Sequence, residues 1–137
     1  MNGELTVRPM GDGDLDAVVD LLTESLGPAP GGAGRRDLFV WKHLQNPFGR
    51  SIVLLAEDGA GRPAGLRAFM RWSLAVPGGG TVDAVRAVDT ATSPAFQRRG
   101  VFTRLTTEGL ETCAAAGVRL VFNTPNEKSL PGYLKMG

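Results

Sequence analysis

The stretch Ala87-Val88-Asp89-Thr90-Ala91-Thr92-Ser93-Pro94-Ala95-Phe96-Gln97-Arg98-Arg99-Gly100-Val101-Phe102-Thr103-Arg104-Leu105 changes its periodicity twice. The β-branched residues Val85, Val88, Thr90 and Thr92 predict a strand, and Pro94 ends it because proline has no N–H to give to a ladder. From Val101 onward the apolar positions Val101, Leu105, Leu110 and Cys113 fall roughly on one side of a helix, with Gly117 as its C-terminal cap. Gln97-Arg98-Arg99-Gly100 lies between the two. A helix that starts at such a turn offers unpaired N–H groups and the positive end of its dipole, beside two arginines. That combination suits an anion as large as a diphosphate, and Gly100 admits close backbone approach. The same spacing also describes solvated turn arginines beside a turn-forming glycine.

Outward from this stretch, Leu120 to Thr124 reads as a further strand, parallel to the first because a helix connects them. Upstream, Ser51 to Glu57 is a nearly continuous apolar run, Asp58-Gly59-Ala60-Gly61 a hairpin turn, and Pro63 to Val76 the returning strand. Pro77-Gly78-Gly79-Gly80 then turns into Thr81 to Thr92, completing an antiparallel meander. The chain opens with a short strand, Leu5 to Arg8, and a helix capped by Asp12 or Asp14 whose apolar positions are Leu15, Val18, Val19, Leu22 and Leu26. Gly27 to Gly34 is too rich in Gly and Pro for regular structure. A second helix is expected over Arg36 to Gln45, stopping before Asn46-Pro47. The predicted class is α/β of the α+β kind, a mixed, mostly antiparallel sheet flanked by helices.

The 137 residues suit one domain, and 42% hydrophobic with 21% charged residues argues against disorder. A formal net charge of +1 argues against a nucleic-acid partner held by bulk positive charge. Cys113 stands alone, so no disulfide, redox or zinc pattern exists, and its place on an apolar stripe makes it a core residue. One histidine, His43, makes no metal site alone, and no metal is expected. It belongs to an aromatic group with Phe39, Trp41 and Phe48, read either as core packing or as contacts to a substrate. Met1 to Glu4 lacks a basic region followed by an apolar one, and no run approaches a membrane span, so no membrane partner and a cytoplasmic location are expected.

The run Gln97-Arg98-Arg99-Gly100-Val101-Phe102 resembles the acyl-CoA pyrophosphate loop of the GNAT N-acetyltransferases, which reads Gln or Arg, two residues, Gly, one residue, then Gly or Ala. Phe102 departs from that pattern by standing where the family has a small residue. A second match is Asn126-Glu127-Lys128-Ser129-Leu130-Pro131-Gly132-Tyr133-Leu134-Lys135-Met136-Gly137, similar to the family's Asn, Tyr and Gly at this spacing. The resemblance implies a GNAT fold whose fourth and fifth strands splay around the pantetheine arm of acetyl-CoA. Backbone groups of Thr90, Ala91 and Thr92 would then bond to the pantetheine, and Gln97 through Thr103 would hold the pyrophosphate. Asn126 would touch the cofactor arm, although helix capping alone explains it too. The family continues with further strands beyond the position of Gly137. The chain is therefore expected to be the front portion of a longer protein, with an exposed strand edge that favours a homodimer.

The implied reaction is direct attack of a small-molecule or peptide amine on the acetyl thioester, with Tyr133 as the acid that protonates the leaving sulfur. Its alternative is a helix tyrosine with its hydroxyl at the surface. Relatives use a glutamate near the place of Ala87; here Asp89, put on the same face as Ala87 by alternation, is the candidate base. An ion pair of Asp89 with Arg86 or Arg71 is the structural alternative, and Glu57 and His43 are lesser candidates. A backbone oxyanion contact is expected near Ala91. A non-catalytic acyl-CoA-binding or sensing module remains the other reading. A nucleotide ligand is disfavoured, because neither Gly-x-Gly-x-x-Gly nor a Gly-Lys-Ser/Thr loop occurs.

Overall fold

Five extended segments build one sheet in the order β1-β2-β3-β4-β5. The strands are β1 Thr6–Pro9, β2 Ile52–Glu57, β3 Pro63–Ala75, β4 Thr81–Thr92 and β5 Leu120–Phe122. The helices are α1 Leu15–Leu26, α2 Arg35–Phe39, α3 Val101–Ala115 and α4 Leu130–Met136. The structure, a computed structural model, describes residues 4–27, 29, 31, 34–125, 127–128 and 130–136. Asn126 and part of the predicted Gly27 to Gly34 loop therefore lie outside the described residues. The pairs β1–β2, β2–β3 and β3–β4 are antiparallel, and β4–β5 is parallel, as the intervening helix requires.

Each strand of the meander feeds both faces. Val53, Leu55, Leu66, Ala68 and Ala91 pack against Val18, Leu21, Leu22 of α1 and Phe39 of α2. Leu54, Ala56 and Ala64 turn the other way, onto Val101 and Leu105 of α3, and Phe69, Val85 and Ala87 surround Cys113. Burial pushes the Cys113 thiol up to about 11, so it behaves as an apolar core group. Beneath α1, Arg8 ties β1 to Asp14 at 2.8 Å and to Glu57 at 3.0 Å.

Three local readings need correction. Asp14 precedes α1 but makes no side-chain cap; it accepts instead from Arg8 and from the Gly11 N–H at 2.7 Å. The second helix does not run regularly to Gln45. After Phe39 it widens into a π turn over Val40–Leu44, closed by Gln45 N–H donating to the Val40 carbonyl at 2.9 Å. On α3, Leu110 is 41% exposed, and the buried stripe runs through Gly109 instead.

Gly109 is small because the ring of Phe69 occupies its space: a Cβ there would sit 2.2 Å from Phe69 Cε2. Gly109→Ala gains about 1 kcal/mol of helix propensity and loses about 1–3 kcal/mol by overpacking a buried ring. The expected net result is destabilisation of up to about 2 kcal/mol, read as a lower urea midpoint; a rise in midpoint would mean that Phe69 can move aside.

Candidate functional site

Strands β4 and β5 pair only from Ala84↔Leu120 to Arg86↔Phe122. Beyond that point they part, and the β5-facing edge of Ala87 to Thr92 carries no partner strand among the described residues. The gap is a cleft of about 320 Å³ lined by Arg67, Asp89, Thr90, Thr124 and Tyr133, among others. An open edge of this kind can pair with an extended amide-bearing chain. Thr90 and Ala91 belong to it differently from each other: the Thr90 hydroxyl donates to the Leu66 carbonyl, and the Ala91 side chain is buried under α1. Only their backbone groups, with those of Thr92, are in play.

Alternation fails inside the cleft. Val88 pairs with Ala68 and Thr90 with Arg67, so Asp89 is an extra residue in β4, with φ of 44°. Asp tolerates this left-handed conformation better than most residues, and the bulge re-aims its side chain. Ala87 packs toward α3, whereas Asp89 turns toward the π turn on the opposite face. There its Oδ2 accepts from Lys42 Nζ at 2.8 Å and pairs with His43 Nε2 at 2.7 Å. Asp89 is thus neither on the face of Ala87 nor paired with Arg86 or Arg71.

His43 is fully buried, tilted against Phe39 with ring centroids 4.6 Å apart, and its Nδ1 lies 2.6 Å from Ser51 Oγ. An ionised carboxylate only accepts, so Nε2 carries a proton and Ser51 orients the other side of the ring. The sequence undervalued His43 because neither the bulge nor the π turn leaves a periodic signal. Burial pushes the Asp89 carboxyl up, but the hydrogen bonds and charges of His43 and Lys42 outweigh it and hold it at about 2. Glu57 is engaged with Arg8 and lines no part of the cleft.

The open edge of β4 leads into the turn before α3. Pro94–Phe96 form one 3-10 turn, then Arg98 and Gly100 take left-handed φ values of 64° and 73°. Among the described residues, no backbone N–H from Arg98 to Thr103 finds an acceptor, and α3 has no side-chain cap. Gln97, Arg98, Arg99, Gly100 and Thr103 are exposed. The Val101 side chain is buried beneath them. Arg99 lies over the Phe96 ring at 5.5 Å, and neither Arg98 nor Arg99 has a carboxylate partner among the described residues. Successive donors around left-handed residues make an anion-binding concavity.

Phe102 supports the far wall. Its ring meets Tyr133 edge-on at 5.5 Å, and Gly132 makes room for it, since a Cβ there would approach Phe102 Cε1 to 3.0 Å. Beside both rings lies Arg67, 1% exposed, its guanidinium 5.4 Å from the centre of Phe102 and 5.3 Å from that of Tyr133. Arg67 Nη2 donates to the Tyr133 hydroxyl. Because arginine only donates, the phenolic O–H is left free to donate into the cleft. Burial lowers the affinity of Arg67 for its proton, and Tyr133 and Asp89 offset this. The motif departure at Phe102 is therefore a packing feature.

The structure thus brings together Asp89, Thr90, Tyr133 and the run Gln97 to Thr103 along one open edge, with His43, a lesser candidate from the sequence, and adds Lys42 and Arg67, which the sequence did not single out for the site. Among the described residues, no group of His, Cys, Asp or Glu side chains is gathered that could hold a metal ion, and no helix is long and apolar enough to cross a membrane. Asp89→Asn is expected to cost about 2 kcal/mol at neutral pH, from a carboxyl held about two units below its unfolded value. A depressed carboxyl stabilises above its unfolded pKa, so the gap between wild type and variant should be full above about pH 5 and close toward pH 2. Urea melts across that range check it; a gap independent of pH would mean the loss is packing, not charge.

The model of the acetyltransferase (GNAT) domain family matches residues 6–137. No curated protein matches the chain. Among solved structures, an acetyltransferase of Trypanosoma brucei is similar with a TM-score of 0.74 and 21% identity, over 98% of this chain and 92% of that one. A predicted acetyltransferase of Clostridium acetobutylicum, solved with acetyl-CoA, gives 0.79 and 16%, over 98% and 89%. Glucosamine-6-phosphate N-acetyltransferase of Arabidopsis thaliana gives 0.72 and 14%, over 96% and 89%. At these identities the likeness is one of fold, but the family model spans nearly the whole chain, and with it the splayed strands and the anion turn: the protein belongs to the GNAT acetyltransferase family.

Proposed function

We propose that the protein moves an acetyl group from acetyl-CoA to a primary amine by direct attack. The observation that carries this is the row of unpartnered N–H groups from Arg98 to Thr103, beside Arg98 and Arg99, at the end of the open β4 edge. The diphosphate binds that row, the pantetheine amides pair with the edge of Ala87 to Thr92, and the thioester lies between the Asp89 bulge and Tyr133. Asn126, at its motif position, is assigned to the cofactor arm.

In this reading the amine lone pair attacks the thioester carbon, and charge collects on the carbonyl oxygen beside the backbone near Ala91. The C–S bond then breaks with its electron pair going to sulfur, and Tyr133 gives its proton to the thiolate. The resulting phenolate stays paired with Arg67. The amine proton goes to Asp89 as the nitrogen becomes amide-like and acidic. A carboxyl held at about 2 is too weak a base to strip a resting alkylammonium.

Two expectations follow from these assignments. Since no group in the cleft is assigned to deprotonate the free ammonium, kcat/KM should climb roughly tenfold per pH unit up to the amine's own pKa. A plateau well below that pKa would reveal a base. Tyr133→Phe should lower kcat by roughly 10²-fold or more with little change in acetyl-CoA affinity. Calorimetric titration with acetyl-CoA tests the whole reading: Arg98→Ala and Arg99→Ala should each weaken binding by about 1.5–3 kcal/mol. No binding by the folded chain would overturn it.

A further inference from the structure

A second cavity, of about 340 Å³, adjoins the cleft and shares Lys42, Arg86 and Val88 with it. It lies on the α1 and α2 side of the sheet. Its floor is the outward row of β3 and β4, where Met70 pairs with Arg86 and Trp72 sits two pairs further on, on the same face. Its wall is Trp41 from the π turn and Phe48 from the loop after it, which are 68% and 51% exposed although large and apolar.

The cavity's polar groups are one-sided. Lys42, Arg71 and Arg86 line it, and no Asp or Glu does. Arg86 Nη2 donates to Thr124 Oγ1, but its Nε is buried without a partner, and so is Trp72 Nε1. Lysine and arginine only donate, so a polar group lying among Lys42, Arg71 and Arg86 must bring acceptor atoms. A guanidinium with no carboxylate partner among the described residues favours an anionic acceptor over a neutral one. Asp89, the one carboxylate within reach, stands at the junction with the cleft and not in the cavity. An ammonium is drawn to that junction and repelled from the floor.

We infer that the acceptor is a primary amine on an apolar, ring-bearing body that carries an oxyanion, with the ring between Trp41 and Phe48 and the oxyanion on Arg86. This rests on the acyl-transfer reading for the identity of the reacting amine. Polycationic amines do not fit the cavity, since it has no acid to receive a second positive charge.

The chain's two tryptophans both line this cavity, so intrinsic fluorescence reports on its occupancy. The test titrates the full chain, saturated with CoA, with 4-(aminomethyl)benzoate, the matching phenylphosphonate, the matching benzamide, and kanamycin as the polycation. The benzoate or the phosphonate should bind at least tenfold more tightly than the benzamide, and whichever binds better names the oxyanion. Arg86→Gln should abolish that preference, while Trp41→Leu, at an exposed position, should weaken all ring-bearing probes alike. Equal or tighter binding of the benzamide or kanamycin, an unchanged preference in Arg86→Gln, or no fluorescence response to any probe would overturn the inference. A parallel assay of thiol release from acetyl-CoA separates the two readings. Preferential binding without thiol release supports the cavity and removes the acyl-transfer reading, whereas equal turnover of the acid and the amide removes the cavity assignment alone.

Discussion

One carboxylate oxygen holds the site together. Asp89 Oδ2 takes a hydrogen bond from Lys42 and pairs with His43, and those residues are neighbours on a π turn. Without a partner of this strength, a non-glycine residue at φ of 44° in the middle of a long strand would be strained. The bulge and the π turn are each irregular, and each is held by the other. Their meeting joins the helical layer to the sheet where β4 and β5 part, so the cleft, the second cavity and the buried imidazole share one junction.

The opposite wall depends on a different compensation. A large residue at Phe102 would crowd a loop built for close backbone approach, but its ring turns away from the turn and onto Tyr133, with Gly132 clearing the space. Arg67 lies against both rings, held by them rather than by an ion pair among the described residues. The hydroxyl at this position is thereby aimed by an arginine that sequence alone places in the middle of an apolar strand.

What could be read from the chain was whatever repeats. The limits of β4, the meander before it, the basic glycine turn and the helix after it all follow from period and punctuation, and the family resemblance rests on the same residues. What escaped were single-residue insertions into a repeat. The bulge at Asp89 reverses the facing of every later position in β4, which is why alternation from Ala87 gave the wrong side. The π turn likewise displaced the helix that was expected to be regular to Gln45, and with it the meaning of His43. Gly109 was passed over for Leu110 because a missing side chain shows no hydrophobicity; only the Phe69 ring above it explains the choice. Glu57, attractive by charge, was already committed to Arg8 across β1 and β2.

The order of strands has a consequence for assembly. β2, β3 and β4 follow one another through short turns, so their pairing closes small loops, whereas β1 reaches back to β2 across two helices and β5 waits for α3. The bulge therefore lies in the locally closed unit, and the wall bearing Tyr133 lies on a seven-residue helix beyond the short parallel strand β5. Three pairs of residues are all that fasten β5 to β4. A ligand lying between those strands bridges the locally closed unit and the segment fastened to it by those three pairs, and its binding energy acts on the opening of that short seam as much as on the fold as a whole.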